Sequence, residues 1–370
     1  MNIRLSLITA LALSLASSAD AYQQDKNIIK ITKSNRTQAF SPEEQQTKFK
    51  LAEGFVIELV ASEKNGIINP IDLTFDDAGR LWTQTAEMYP LDPMGDKANR
   101  SIRGQLLDPK SKIHQHPEMV RLKRLYQLKE KGTDRIVVID DPTKPLEGMV
   151  RRVAEGLTMP QSILPYKNGV YVAHGSEMLY LEDTDDDGIY EKPTTVLTGF
   201  SFIDSHTMSH LLTRAPGGWV NFSHGAMNLG KVTAVASGAT QQINYSKNAR
   251  FSLDGKKIEL INSGLNNIWG YQLRANGQYY GSEANDKGMS IVPMEPLTGY
   301  LGIGNDKIRP YQPMVPQLHS FRVGGTGLSG LAFDESDSNG YPETWKNVAF
   351  LANPITNTIN SVRIDRDASG

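Results

Sequence analysis

Three of the seven histidines, His206, His210 and His224, fall within IDSHTMSHLLTRAPGGWVNFSHG, residues 203–225. Imidazole titrates near neutrality, so such a group offers a general base, a proton relay or a metal site. His206 and His210 are four residues apart. On an extended strand that spacing puts two side chains of one face about 13 Å apart, too far to share an ion. A helix would bring them together, but Thr207 and the Gly-rich flanks argue for a strand. The stretch therefore reads as a hairpin, with His206 entering one strand and His224 ending the next. These two are expected side by side, with His210 further down the strand. His174 and His224 each end an apolar run before Gly, in VYVAHG and VNFSHG. Equivalent places in two repeats bring them to one face as ligand-contact candidates.

DTDDDG, residues 183–188, sets Asp183, Asp185 and Asp187 at alternate positions before Gly188. Short oxygen ligands around a Gly turn suit Ca²⁺, and three adjacent carboxylates repel one another without a cation. The place of an EF-hand's closing Glu holds Thr194, so the loop is not a complete EF-hand. DESDSNG (334–340) is a less regular acidic turn, and His114 and His116 stand in a surface-loop context. Trp82, Trp219 and Trp269 fall within hairpins, where core packing is their commonest use.

The elements that must position these groups are strands. PIDLTFDDAGRLWTQTA (70–86), MPQSILPYKNGVYVAHG (159–175), residues 206–225, NNIWGYQLRANGQYYGSE (266–283) and residues 327–353 share one form. Each alternates briefly, turns at Gly, and returns through aromatic and β-branched residues, a hairpin signature. Recurrence of hairpin-led units in an all-β chain predicts propeller blades. Helix is expected only in an insertion at about 91–134, where PEMVRLKRLYQLKEKG carries an imperfect apolar stripe. FVIELVA (55–61) reads as a strand of the last blade that closes the ring. The chain itself reads as a propeller that stops one strand short.

Bulk properties narrow the class. The 370 residues carry a net charge of −2 and no basic run, which argues against a nucleic-acid partner. The absence of cysteine excludes disulfides, thiolate chemistry and c-type haem attachment in this chain. Arg4, the apolar run Leu5–Leu15 and the Ala19-Asp20-Ala21 site predict a signal peptide cleaved after Ala21. Residues 22–48 read as a polar linker, and 49–370 as the propeller. No later segment is apolar enough to span a bilayer, so a periplasmic or secreted location is expected.

The order FKLAEGFVIELVASEKNGIINPIDLTFDDAGRLWTQTAEMYP, GLTMPQSI, GVYVAHG, LYLEDTDDDG, LTGFSFIDSHTMSHLL and GLNNIWGYQLRANGQYYGSE resembles one known group. It is similar to the N-terminal propeller of the membrane-bound dehydrogenase proteins of planctomycetes and verrucomicrobia, across about residues 48–370. That group in turn resembles soluble quinoprotein glucose/sorbosone dehydrogenases, so a six-bladed propeller is implied. The resemblance implies oxidation of a sugar or alcohol, with a base at the place of His206 in a hairpin one residue longer. It also implies pyrroloquinoline quinone (PQQ) at an Arg-Asn-Pro-x-Gly motif. That motif reads Asn266-Asn267-Ile268-Trp269-Gly270 here, so Asn267, Gly270 and Trp269 are the implied cofactor contacts. Asn266 lacks the bidentate, permanent charge of Arg toward the quinone's carboxylates. Glu283 joins His174 and His224 as a substrate-contact candidate. A downstream electron-transfer or envelope partner is implied as well. The competing expectation is a non-catalytic propeller that binds carbohydrate or protein within a larger envelope protein.

Overall fold

The computed structural model describes residues 40–87, 89, 120, 124–144, 150–202, 204–225, 228–263, 267–284, 288–292, 323, 327–335 and 341–365. The signal-peptide reading, His114, His116, Asn266 and most of the insertion lie outside them. The chain forms two compact units, Met1–Leu59 and Val60–Gly370. No helix among the described residues is long and apolar enough to cross a membrane.

The first unit corrects two expectations. A helix, α1 (Pro42–Gln46), starts in the segment read as linker. Ser41 caps the Glu44 amide while the Glu44 carboxylate returns to the Ser41 amide, a local capping box that works without an apolar stripe. Residues 55–61 carry no strand. Phe55 instead donates back to the Ala52 carbonyl in a turn. In the insertion, Val120 and Arg124, Leu125 and Tyr126 are helical as expected, with Leu125 and Tyr126 buried.

The second unit is an all-β propeller built of antiparallel sheets. Sheet 1 holds β1 (Leu73–Phe75), β2 (Leu81–Gln84), β3 (Asp134–Ile139) and β4 (Val150–Leu157) in chain order. Sheet 2 begins with β5 (Ser162–Tyr166), β6 (Gly169–His174), β7 (Glu177–Glu182) and β8 (Lys192–Thr198). Sheet 3 opens with β9 (His210–Ala215) and β10 (Trp219–His224). Before it is completed, a hairpin of β11 (Leu229–Ala234) and β12 (Thr240–Asn244) leaves it and extends sheet 2 beyond β8. The chain then returns through β13 (Lys247–Ser252) and β14 (Ile258–Ser263). Sheet 4 is β15 (Ile268–Leu273), β16 (Tyr279–Glu283) and β17 (Gly288–Val292), and sheet 5 is β18 (Ser329–Phe333), β19 (Val348–Asn353) and β20 (Thr358–Arg363). All five hairpins read from the sequence open these sheets. The implied count of six blades is not met: the described strands make five sheets.

The first strands of successive sheets neighbour one another, β1 with β5, β5 with β9, β9 with β15 and β15 with β18. Between the sheets lies the core. Trp82, Ile136 and Val138 of sheet 1 meet Ile163, Val170 and Val172 of sheet 2. Leu197, Val232 and Ile243 of the extended sheet 2 meet Val220, Phe222 and Phe251 of sheet 3. Such alternation places one face of each sheet on its neighbour.

Among the described residues, first strands have an inner edge with no ladder partner, and side chains of the preceding sheet satisfy it. Asp72 Oδ2 accepts from Ser162 Oγ at 2.6 Å, and Ser162 Oγ accepts from the Leu212 amide at 2.9 Å. That amide is freed by a bulge: two residues, Leu211 and Leu212, face one across the β9–β10 pair, and Leu211 takes φ 54°. Between sheets 4 and 5, the Phe333 amide donates to Gln272 Oε1 at 2.7 Å. Gly270 permits close approach there, since a Cβ would lie 2.2 Å from Ser282 Oγ and 2.5 Å from the Gly330 carbonyl oxygen.

Ser162→Ala should cost about 1–3 kcal/mol, because it strands the buried Leu212 amide and removes a donor from Asp72. Urea unfolding measures this; an unchanged midpoint would show that the inter-sheet relay does not contribute.

Candidate functional site

Every hairpin ends its second strand beside the start of its first, and these ends meet across sheets. Gln84 Nε2 donates to the Pro160 carbonyl at 3.3 Å, just before β5. Gln161 Nε2 donates to the Ser205 carbonyl before β9. The His210 ring lies 2.6 Å from the Ile268 carbonyl at the start of β15. The Gly327 amide, before β18, donates to the Ala284 carbonyl after β16 at 2.6 Å. One face of the propeller unit is thereby defined.

On it, the last residue of each second strand is polar and buried: Gln84, His174, His224, Glu283 and Asn353. The sequence reading found three of the five. Gln84 and Asn353 occupy the same place in their hairpins, so aligning the hairpins end to end is the signal that finds them.

His174 is held by the Thr158 amide, which donates to Nδ1 at 3.3 Å. Burial pushes its pKa down to about 4. His224 Nδ1 lies 3.2 Å from the Tyr245 carbonyl, and burial outweighs that bond to bring its pKa down to about 4. Beside it on the neighbouring strand is Lys247, fully buried, whose Nζ donates to the Ser246 carbonyl at 3.2 Å. Glu283 is fully buried and accepts from the Asn267 amide at 3.1 Å.

His206 does not begin the strand. It lies in a 3-10 turn, Ser205–Thr207, capped by Asp204. A separate turn is needed because β9 starts only at His210, which pairs with Ser223 next to His224. His210 is therefore the residue beside the end of β10, not one further down. Its ring is buried, reaches the Met208 carbonyl at 2.5 Å as well as Ile268, and stacks on Trp269 with centroids 4.0 Å apart. His210 thus joins sheets 3 and 4 and fixes the half-buried indole; burial lowers its pKa against those two carbonyls.

The His206 side chain is 49% exposed, with Nδ1 3.4 Å from the buried Asp204 Oδ1. A carboxylate at that nitrogen can orient the ring. Asp204 escaped the sequence reading, although it lies only two residues away.

The acidic turn is elsewhere. β6 ends at His174 on the polar face, β7 runs back, and Asp183–Gly188 follows at the opposite end of sheet 2. About 17 Å of strand separates them. Asp183 is buried and accepts from the Asp186 and Gly188 amides at 2.8 and 2.9 Å. Ligand atoms of Asp183, Asp185 and Asp187 lie within 4.8 Å of one another, the geometry a cation would need. This is the one such group among the described residues, and the three histidines do not form another. Asp183, Asp185 and Asp187 are not brought together with the histidine face.

Two measurements follow from these geometries. Both His174 and His224 have folded-state pKa values below the ordinary 6.5, so their contribution is intact above pH 6.5 and is lost as pH falls toward 4. Asp72, pushed up to about 6 by burial, acts oppositely, and its contribution fades as pH rises through 6. Two histidines outweigh one carboxyl, each losing about 2 kcal/mol between pH 6.5 and 5. Denaturation midpoints should fall over that range, less steeply in His224→Gln; a flat profile contradicts the assignment. Ca²⁺ in hundredfold excess over its Kd should add about 2.7 kcal/mol. The gain should vanish in Asp185→Ala, and calorimetry with and without chelator decides it.

The family model described as "Domain of unknown function (DUF7133)" matches residues 41–369, and the chain belongs to that family. No curated protein matches the sequence. A glucose dehydrogenase crystal structure is similar at 18% identity and TM-score 0.43, covering 63% of this chain and 78% of that one. The PQQ-bound aldose sugar dehydrogenase from Streptomyces coelicolor is similar at 12% identity and TM-score 0.48, covering 84% and 81%. The holo PQQ domain of pyranose dehydrogenase from Coprinopsis cinerea is similar at 11% identity and TM-score 0.45, covering 87% and 81%. At these values they are likenesses only; the propeller assignment rests on strand topology.

Proposed function

Within this family, we propose that the Val60–Gly370 propeller binds a sugar or polyol on the face where its second strands end. The supporting observation is a concentration of buried polar atoms without hydrogen-bond partners: Gln84 Oε1, Gln161 Oε1, His174 Nε2, Ser209 Oγ, His224 Nε2 and Asn267 Oδ1. Each such atom costs about 1–3 kcal/mol unless something outside the fold completes its bond. Hydroxyl groups complete both kinds. The Trp269 indole, held flat against His210, adds an apolar surface of the sort a sugar ring covers. On this proposal the protein acts outside the cytoplasm as a module of a larger envelope protein, akin to the membrane-bound dehydrogenases that its sequence resembles.

A second reading, alcohol oxidation, is favoured by the His206–Asp204 pair. His206 would take the hydroxyl proton of the bound substrate while Asp204 holds the ring, and the carbon-bound hydrogen would leave as hydride to an external two-electron acceptor, the part the dye plays in the assay below. The cofactor implied by the resemblance does not fit the described residues. The motif's Arg is Asn266 in the sequence, and His174 and His224, brought down to about 4 by burial, are neutral and offer the quinone's carboxylates no positive charge. Among the described residues of that face Lys247 is a buried cation, and its Nζ donates to the Ser246 carbonyl. The quinone therefore takes no part in this reading. The acidic turn of Asp183, Asp185 and Asp187, at the opposite end of its sheet, is proposed only as a structural Ca²⁺ site.

Calorimetric titration with neutral sugars and polyols tests the proposal, together with a dye-reduction assay on the same panel. Saturable binding without dye reduction, unchanged in His206→Ala, is the result expected of a binding module. Turnover that His206→Ala abolishes while binding persists would establish the second reading. Absence of binding across the panel would overturn both.

A further inference from the structure

If this face is the ligand site, as proposed above, the direction of each free hydrogen bond on it can be assigned. The Thr158 amide can only donate, so His174 Nδ1 is the bare nitrogen and Nε2 carries the hydrogen. The Tyr245 carbonyl can only accept, so His224 Nδ1 carries the hydrogen and Nε2 is bare. Both Nε2 atoms are buried and without partners. Two histidines at equivalent strand ends thus hold opposite tautomers, one presenting an N–H and the other a lone pair. Gln84 and Gln161 are fixed in the same way. Each directs its amide N–H at a backbone carbonyl, Pro160 or Ser205, and leaves Oε1 as a buried bare acceptor. Glu283 contributes a buried carboxylate to the same face. Among these groups, three bare acceptors stand against one fixed donor.

We propose that the face selects neutral polyhydroxylated ligands against their carboxylate-bearing counterparts, with His174 and His224 as the specificity-determining pair. A hydroxyl donates to His224 Nε2, Gln84 Oε1 or Gln161 Oε1, and its oxygen accepts from His174 Nε2–H. A carboxylate carries lone pairs only. It satisfies His174, and Ser209 can turn its hydroxyl toward it, but it confronts His224 Nε2, Gln84 Oε1 and Gln161 Oε1 with lone pair against lone pair. Lys247, directly across the ladder from His224, is a local cation that opposes this preference. A ligand bearing several carboxylates, such as the quinone, meets the same obstacle more than once.

The test pairs ligands that differ by one carboxylate, glucose with glucuronate and sorbitol with gluconate, titrated calorimetrically into the full chain at pH 7.5. PQQ is added separately, with and without Ca²⁺, and followed by its absorbance. The neutral member of each pair should bind about tenfold or more tighter than its partner, the ratio expected when one buried group is left unmatched. PQQ should show no saturable absorbance change. Equal or tighter binding of the carboxylate members, or saturable PQQ binding, overturns the inference while leaving the face as a ligand site. No binding by any member removes that reading as well. His224→Phe should narrow the neutral-to-carboxylate ratio, whereas His174→Phe should weaken both members alike. If His224→Phe does not fold, Gln161→Met removes another bare acceptor and should narrow the ratio too; an unchanged ratio contradicts the proposal. Imidazole ¹⁵N spectra provide an independent readout. They should show hydrogen on Nε2 of His174 and on Nδ1 of His224, and matching tautomers would refute the assignment.

Discussion

The inner edge of the first strand in each sheet is the constraint on which this fold turns. Strand edges carry unpaired amides and carbonyls, and buried ones must find partners. The first strands of neighbouring sheets lie side by side without forming a ladder. Their edges are satisfied one group at a time by side chains. Asp72, Ser162 and the Leu212 amide form one such series, His210 reaches the Ile268 carbonyl in another, and Gln272 meets Phe333 in a third. Polar residues on these strands are therefore structural to a degree that ordinary sheet alternation does not require. The same geometry leaves the strand ends beyond the last rung as positions where polar groups are buried but not used up.

That division explains why the candidate residues separate into different roles. His210 lies inside the stitched region and has both ring nitrogens against carbonyls. His174 and His224 lie at the last rungs, where one nitrogen is engaged by backbone and the other is not. His206 stands one turn further out, half exposed and held by Asp204. Three histidines in nineteen residues of sequence thus span a clamp, a buried hydrogen-bonding group and a half-exposed ring beside a carboxylate.

The five hairpins were legible because their signals are local. Gly-containing turns, period-two alternation and β-branched return strands act within about twenty residues. The equivalence of His174 and His224 followed from the same repetition. What escaped were features set by distant partners. The β11–β12 hairpin reads as ordinary strands, but nothing near Leu229–Asn244 shows that β8 will accept them. The bulge at Leu211, the partnership of Asp72 with Ser162 and the engagement of His210 by Ile268 depend on another sheet's approach. FVIELVA shows the converse error, since a strand-like composition formed no ladder. The tautomers of His174 and His224 depend on which backbone group each meets, which residue identity cannot give.

The exchange of β11 and β12 between sheets bears on how such a chain can change over generations. In a propeller of self-contained blades, one blade is a unit that can be copied or lost with little damage to its neighbours. Here the segment that completes the outer edge of sheet 2 is encoded between β10 and β13 of sheet 3. Deleting the third blade would strip the second of its outer strands, and duplicating it would produce a hairpin with no edge to occupy. Sheets 2 and 3 are thereby inherited as a pair, and the histidines that end β6 and β10 are inherited with them.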